Sequence, residues 1–183
     1  MNISEKPFNV VKFADLKNYR NLDELFEPVS MGMKYAPVDD VLILYEAQPN
    51  SGHWCTLKRL PTEFANTYSY HFLDPYGEVI DGQRKYINPT FRLKSGQNTP
   101  LILKKLYEQM EGGGGTDLLD IHYNDKVLQG TKTSTCGRYA GMFIRFDEPV
   151  EKYAKTLMKM AKKKNISVDN LIIQLTAKLL DRD

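Results

Sequence analysis

Cysteine is scarce in this chain, with only Cys55 and Cys136 among 183 residues. A secreted disulfide scaffold carries a denser, even-numbered framework, and a zinc site needs clustered ligands, so neither is expected. Long apolar runs are also missing. The densest, Val41 to Tyr45 and Leu171 to Ile173, fall far short of the roughly 20 residues that cross a bilayer. The start, MNISEKPFNVVKF, lacks the apolar stretch of a secretory signal. Nor is there an excess of one charge: 25 Lys and Arg stand against 23 Asp and Glu, for a net charge of +2. Composition as a whole therefore points neither toward nor away from nucleic acid. These absences lead to the expectation of a soluble, intracellular protein with reduced thiols, no metal and no membrane partner.

What is present fits one domain over residues 1–183. Residues 10–27 mix apolar and charged positions and suggest one or two short helices, and residues 28–40, with Pro28, Gly32 and Pro37, suggest a loop. Val41 to Glu46 reads as a strand buried on both faces. The turn-like AQPNSG follows, then strand candidates from His53 to Leu60 and from Tyr68 to Leu73. The third stops at Asp74-Pro75-Tyr76-Gly77, a turn sequence. Helical spacing with a leading proline marks 100–110, and the four glycines 112–115 mark a loop. Ile121 to Leu128 suggests a short strand, and Gly137 to Phe146 a buried helix. Two terminal helices are expected at 149–164 and 168–180, with Asn165 ending the first and Ser167 capping the second. Strands in the middle with helices at both ends make an α+β fold with a central sheet.

Four short pieces carry chemistry: Gly52-His53-Trp54, the turn at 74–77, Gln129, and Thr135-Cys136-Gly137 leading into an apolar helix. A free thiol has a pKa of about 8.5, and a helix N-terminus or a nearby imidazolium favours its anion. Cys136 stands at a predicted helix start, and His53 is placed to activate it and later to protonate a leaving amine. Asp74 ends one strand and His53 begins its neighbour, so antiparallel pairing at about 4.8 Å brings them together. The carboxylate would then fix the imidazole tautomer. The Gln129 amide, with the Cys136 backbone N–H, would donate to a developing oxyanion, one such donor being worth about 3 kcal/mol. Each piece alone is weak, since a lone Cys, His or Asp-Pro turn is usually structural. The order His, Asp, Gln, Cys, each in a fitting context, is far harder to reach by accident.

Other residues read more plainly. Cys55 shares a strand face with His53 and is a small core residue. His71 is structural and faces away from Asp74, and His122 is the fallback base. Lys152, Lys155, Lys159 and Lys162 line one helical face opposite Tyr153, Leu157, Met160 and Ala161. That face is either a solvated surface or a contact for nucleic-acid phosphates.

The segments GHW at 52–54, FLDPYG at 72–77 and QGTKTSTCGRYAGMF at 129–143 resemble the cysteine peptidases that include adenovirus maturation protease and the SUMO-deconjugating proteases. The viral maturation branch is the more similar, through its acidic-Pro-aromatic-Gly turn. The resemblance covers residues 41–146. It implies a mixed central sheet flanked by helices, with Cys136 as nucleophile at the N-terminus of a central helix. It further implies His53 as base, Asp74 as orienting acid, Gln129 in the oxyanion hole and Trp54 confining the substrate channel. The implied activity is processing of viral capsid and structural precursors during virion maturation, in the host cytoplasm, a viral factory or the virion. No cofactor is needed for the chemistry, while DNA or a peptide is an expected activator. Thr135 stands where many deconjugating members have Asp, which disfavours the alternative of a ubiquitin or SUMO isopeptidase. A catalytically silent nucleic-acid- or capsid-binding protein of the same fold is the third reading.

Overall fold

β-branched and aromatic runs build a five-stranded mixed sheet whose spatial order follows the chain. Its strands are β1 (Asn9–Lys12), β2 (Asp40–Gln48), β3 (Ser51–Pro61), β4 (Tyr68–Leu73) and β5 (Asp120–Tyr123). The two central pairings, β2–β3 and β3–β4, are antiparallel, and the outer ones, β1–β2 and β4–β5, are parallel. Among the described residues five α-helices accompany it: α1 (Pro89–Lys94), α2 (Leu101–Gly112), α3 (Cys136–Ile144), α4 (Val150–Lys164) and α5 (Val168–Leu180). The structure, a computed structural model, describes residues 7–27, 38–64, 67–112 and 120–180.

The sheet separates two apolar cores, because successive strand residues point to opposite faces. Phe72 joins Phe13, Ile43, Leu57 and Ile102 on one side. Leu73 joins Tyr139, Phe143, Tyr153 and Leu171 of α3, α4 and α5 on the other. The same alternation runs along β3. Cys55 and Leu57 enter the first core, while Thr56 and Lys58 reach the carbonyls of α3.

Several expectations need correction. The segment from residue 10 begins as a strand: Val11 is buried and Val10 exposed, and β1 adds in parallel to β2. Only afterwards does the chain form two short 3₁₀ helices, Phe13–Asn18 and Asp23–Phe26. A four-residue strand carries too little alternation to be distinguished from a helical stripe by pattern alone. The strand expected to reach Leu128 stops at Tyr123, because Asn124 turns its side chain to the Asp74 backbone. Helix α1 went unanticipated, although Asn88 caps it by accepting from the Thr90 and Phe91 N–H groups and Pro89 opens it. At the far end, Asn165 adopts the left-handed conformation (φ 54°) after α4, and the Ser167 hydroxyl accepts the Asn170 N–H. The loop expected at 28–40 lies outside the described residues through position 37, and of the glycine loop expected at 112–115, Gly112 ends α2 while 113–115 lie outside them.

Candidate active site

The antiparallel register of β3 and β4 ends at Thr56 opposite Leu73. Asp74 therefore leaves the sheet beside the start of β3, and His53 Nε2 meets its Oδ1 at 2.8 Å. Asp74 is fully buried, so its charge must be met by donors. The Tyr76 N–H donates to Oδ1 at 2.8 Å and Gln83 Nε2 to Oδ2 at 2.7 Å. Asn124 braces its backbone in both directions, accepting from the Asp74 N–H at 2.9 Å and donating to its carbonyl at 2.6 Å. The turn closes through the Gly77 N–H onto the Asp74 carbonyl, with Gly77 at φ 73°. A side chain there would also strike the Lys126 backbone, which is why glycine occupies it. Tyr76 lies stacked on the His53 ring at 4.6 Å. The imidazole is thus held edge-on by a carboxylate and face-on by a phenol.

Cys136 is the first residue of α3, and three sets of contacts fix that helix. The Thr56 hydroxyl donates to the Ala140 carbonyl at 3.2 Å. Buried Lys58 pairs with Asp40 at 3.1 Å and donates to the Ile144 and Phe146 carbonyls, 3.3 and 2.6 Å away. A cation at the helix C-terminus also complements its dipole. At the N-terminal end Asp169, in the first turn of α5, accepts from the Gly130 N–H at 2.7 Å and the Thr135 hydroxyl at 2.5 Å. The Thr133 and Tyr139 hydroxyls stand 3.2 Å from the same carboxylate. The loop before Cys136 is therefore tied down by a residue 33 positions later in the chain.

The charges follow from these contacts. Burial works against a charged His53, but hydrogen bonds to Asp74 and Cys136 outweigh it and push its pKa up to about 9. With Nε2 engaged by Asp74, the ring nitrogen left for the thiol is Nδ1. Burial would raise the Cys136 thiol, yet the His53 hydrogen bond and the backbone N–H groups of Trp54 and Gly137 bring it below its ordinary value. Cys55 shows the opposite: complete burial, aggravated by the Asp74 carboxylate, drives its pKa well up. One thiol is activated and the other is inert.

No family model matches the chain. Over 154 residues it is 26% identical to "Uncharacterized protein V9" of Sputnik virophage, an alignment covering 79% of this chain and 81% of that protein. A solved structure, the ASFV pS273R protease, aligns with 91% of this chain at 13% identity and a TM-score of 0.39. That alignment covers 52% of the protease, so this chain spans about half its length.

Trp54 lines a cleft of about 1110 Å³ beside Cys136 and Gly137. A second, smaller cavity of about 310 Å³ holds His53, Tyr76 and Gln129, and the two share Gly52, Ser134 and Cys136. Gly52 admits no side chain, since a Cβ would sit 1.9 Å from the Tyr45 carbonyl oxygen. Gln129 is held near the site because the Leu128 and Gln129 N–H groups both donate to the Pro75 carbonyl at 2.9 Å. Its amide nitrogen, however, donates to the Thr133 carbonyl at 2.7 Å and the Tyr76 hydroxyl at 3.3 Å. Both amide protons are therefore occupied in this arrangement.

His71 and His122 lie apart from this cluster. His71 is buried, bonded to the Ser69 hydroxyl at 3.0 Å and stacked on His122, and burial followed by the His122 charge lowers its pKa to about 4. His122 bridges Asp120 and Glu151 at 2.8 and 2.7 Å, so it is engaged in a surface clamp remote from Cys136. Two groups of donors among the described residues have spacing suited to a metal, His53–Cys55–Asp74 and His71–His122–Glu151. In the first, His53 and Asp74 are already committed to each other and the Cys55 thiol is held protonated. On α4 the lysines 152, 155, 159 and 162 are exposed and Tyr153, Leu157 and Ala161 buried, while Lys152 pairs with Glu148 at 2.8 Å. Gln83, Asn124 and Asp169 were missed by sequence reasoning. Each acts through a long-range contact, and no local pattern marks it.

Proposed function

We propose that this chain is a cysteine endopeptidase that processes viral structural precursor proteins during particle maturation. The observation that carries the proposal is the Cys136 thiol at the start of α3, whose pKa His53 brings down against burial, with Nε2 of that His53 held by the buried Asp74 carboxylate at 2.8 Å. A thiolate facing an imidazolium is a nucleophile at neutral pH. Cys136 attacks the scissile carbonyl, and His53 gives its proton to the departing amine as the acyl-enzyme forms. Water, deprotonated by neutral His53, then attacks the acyl-enzyme carbonyl and releases Cys136. Asp74 keeps the imidazole in one tautomer throughout. The Cys136 N–H, at the very start of α3, stabilises the oxyanion, and Gln129 joins it once a substrate carbonyl replaces that of Thr133. Trp54 confines the substrate strand. Similarity to a virophage protein supports the viral setting, and hence an enzyme made in the host cytoplasm or viral factory and carried in the virion. Activation by DNA or a peptide belongs to the same proposal.

The test is mass-spectrometric mapping of cleavage in a proteome-derived peptide library, with wild type and Cys136→Ala. Discrete wild-type cleavage sites, lost in a variant with unchanged circular dichroism and melting, are expected. Full activity in Cys136→Ala would end the proposal. Rapid labelling by a ubiquitin or SUMO C-terminal electrophile would move the chain to the deconjugating isopeptidases.

A further inference from the structure

The larger cleft continues past the thiol along the outer side of α3, and its charge is one-sided. Two guanidinium groups line it, Arg138 in the first turn of α3 and Arg145 at its C-cap, and no carboxylate among the described residues does. Both residues are exposed. Arg138 donates to the Thr176 hydroxyl at 2.6 Å, a neutral partner that does not itself compensate the charge. The Arg145 side chain has no hydrogen bond or ion pair among the described residues. Between them the floor is low, since a Cβ at Gly141 would meet nothing within 4 Å. The rest of the lining includes Phe8, Trp54 and Met142, surfaces on which an extended backbone can lie.

We infer that this cleft binds an extended polypeptide segment carrying two acidic side chains spaced three residues apart, on one side of the scissile bond. The spacing follows from the helix. Seven residues at 1.5 Å each set the arginines about 10 Å apart on nearly the same face, and three residues of chain in the extended polyproline II conformation, which has three residues per turn, advance about 9 Å with both side chains on one side. Arginine suits the task, because its planar fork takes a carboxylate through two hydrogen bonds while staying charged at every working pH. The inference deepens the peptidase reading and rests on it for the identity of the ligand. The charge pattern of the cleft itself does not depend on whether Cys136 is catalytic.

Binding is therefore measured apart from cleavage, by fluorescence anisotropy on the folded Cys136→Ala protein. The probes are fluorescein-labelled 12-residue Gly/Ala/Leu peptides that differ at two positions three apart, bearing Asp, Asn or Lys. The Asp peptide is expected to bind about five- to tenfold tighter than the Asn peptide, and the Lys peptide more weakly than either. The preference falls with added salt. In Arg138→Gln/Arg145→Gln it disappears, whereas in Lys155→Gln/Lys159→Gln, on the separate α4 face, it remains. Equal binding of all three, no binding of any, or a preference that survives loss of the arginines overturns the inference. Failure of wild type to cleave peptides that bind with this preference would instead refute the peptidase reading.

Discussion

Asp169 gathers the loop before Cys136, and removing its carboxylate tests how far the site depends on α5. Its two closest donors are the Gly130 N–H and the Thr135 hydroxyl, and Thr135 is itself buried. Thr135 stands at the N-cap of α3 yet makes no capping bond to its own helix, so its hydroxyl is committed to Asp169. A hydrogen bond to a charged acceptor is worth about 1.5–3 kcal/mol, and a buried donor left unpaired costs a similar amount. Asp169→Ala should therefore lower unfolding stability by about 3–5 kcal/mol. That is a large share of the 5–15 kcal/mol typical of a domain. Asp169→Asn keeps one acceptor oxygen but turns an NH₂ toward a donor, so a loss of about 2 kcal/mol is expected. Urea denaturation followed by circular dichroism measures both. The second readout is iodoacetamide trapping of Cys136 at pH 7 without denaturant, where the variants should react more slowly than wild type as the Gln129–Cys136 loop loosens. A loss below about 1 kcal/mol in Asp169→Ala, with unchanged trapping, would refute the role assigned to this carboxylate.

Across pH 4 to 10, Cys136 should be alkylated well below the usual thiol range and Cys55 only on unfolding, with His53→Ala abolishing the low-pH reaction. The thiolate–imidazolium pair forms as pH rises through the lowered Cys136 value and dissolves as His53 deprotonates near 9. Because the folded-state pKa of His53 is raised, its own contribution to stability is complete below about 6.5 and lost as pH rises through about 9. Lys58→Met removes the cation paired with buried Asp40 and should cost about 3–5 kcal/mol in urea denaturation, with much of it recovered in Lys58→Met/Asp40→Leu. Undiminished stability in the single variant would show that the pair does not anchor α3. The α4 lysines should give DNA affinity that falls steeply with salt, by a slope near three if Lys155, Lys159 and Lys162 each meet a phosphate. A flat salt dependence in a filter-binding or anisotropy titration removes that contact.

The sequence by itself determined the helices α2 to α5, the three central strands and the turn at Asp74, because each is written in a local pattern. These are apolar periodicity, β-branched runs, a Pro-x-Gly turn, or a capping residue such as Ser167. It also put His53 and Asp74 within reach, since strands of known polarity joined in sequence have predictable neighbours. Cys136 at a helix start was legible for the same reason. Only tertiary structure decided the rest. Strand β1 exists because β2 offers it a parallel edge, and four residues of sequence cannot announce that. Gln83 and Asn124 serve Asp74 through contacts 9 and 50 residues apart in the chain, and Asp169 reaches back 34 residues to Thr135. Gln129 shows the limit most plainly. Its place beside the site followed from the motif, but the Thr133 carbonyl that occupies its amide was set by how the loop closes. A polar side chain bonds to whatever the fold brings near it, and spacing along the chain does not encode that partner.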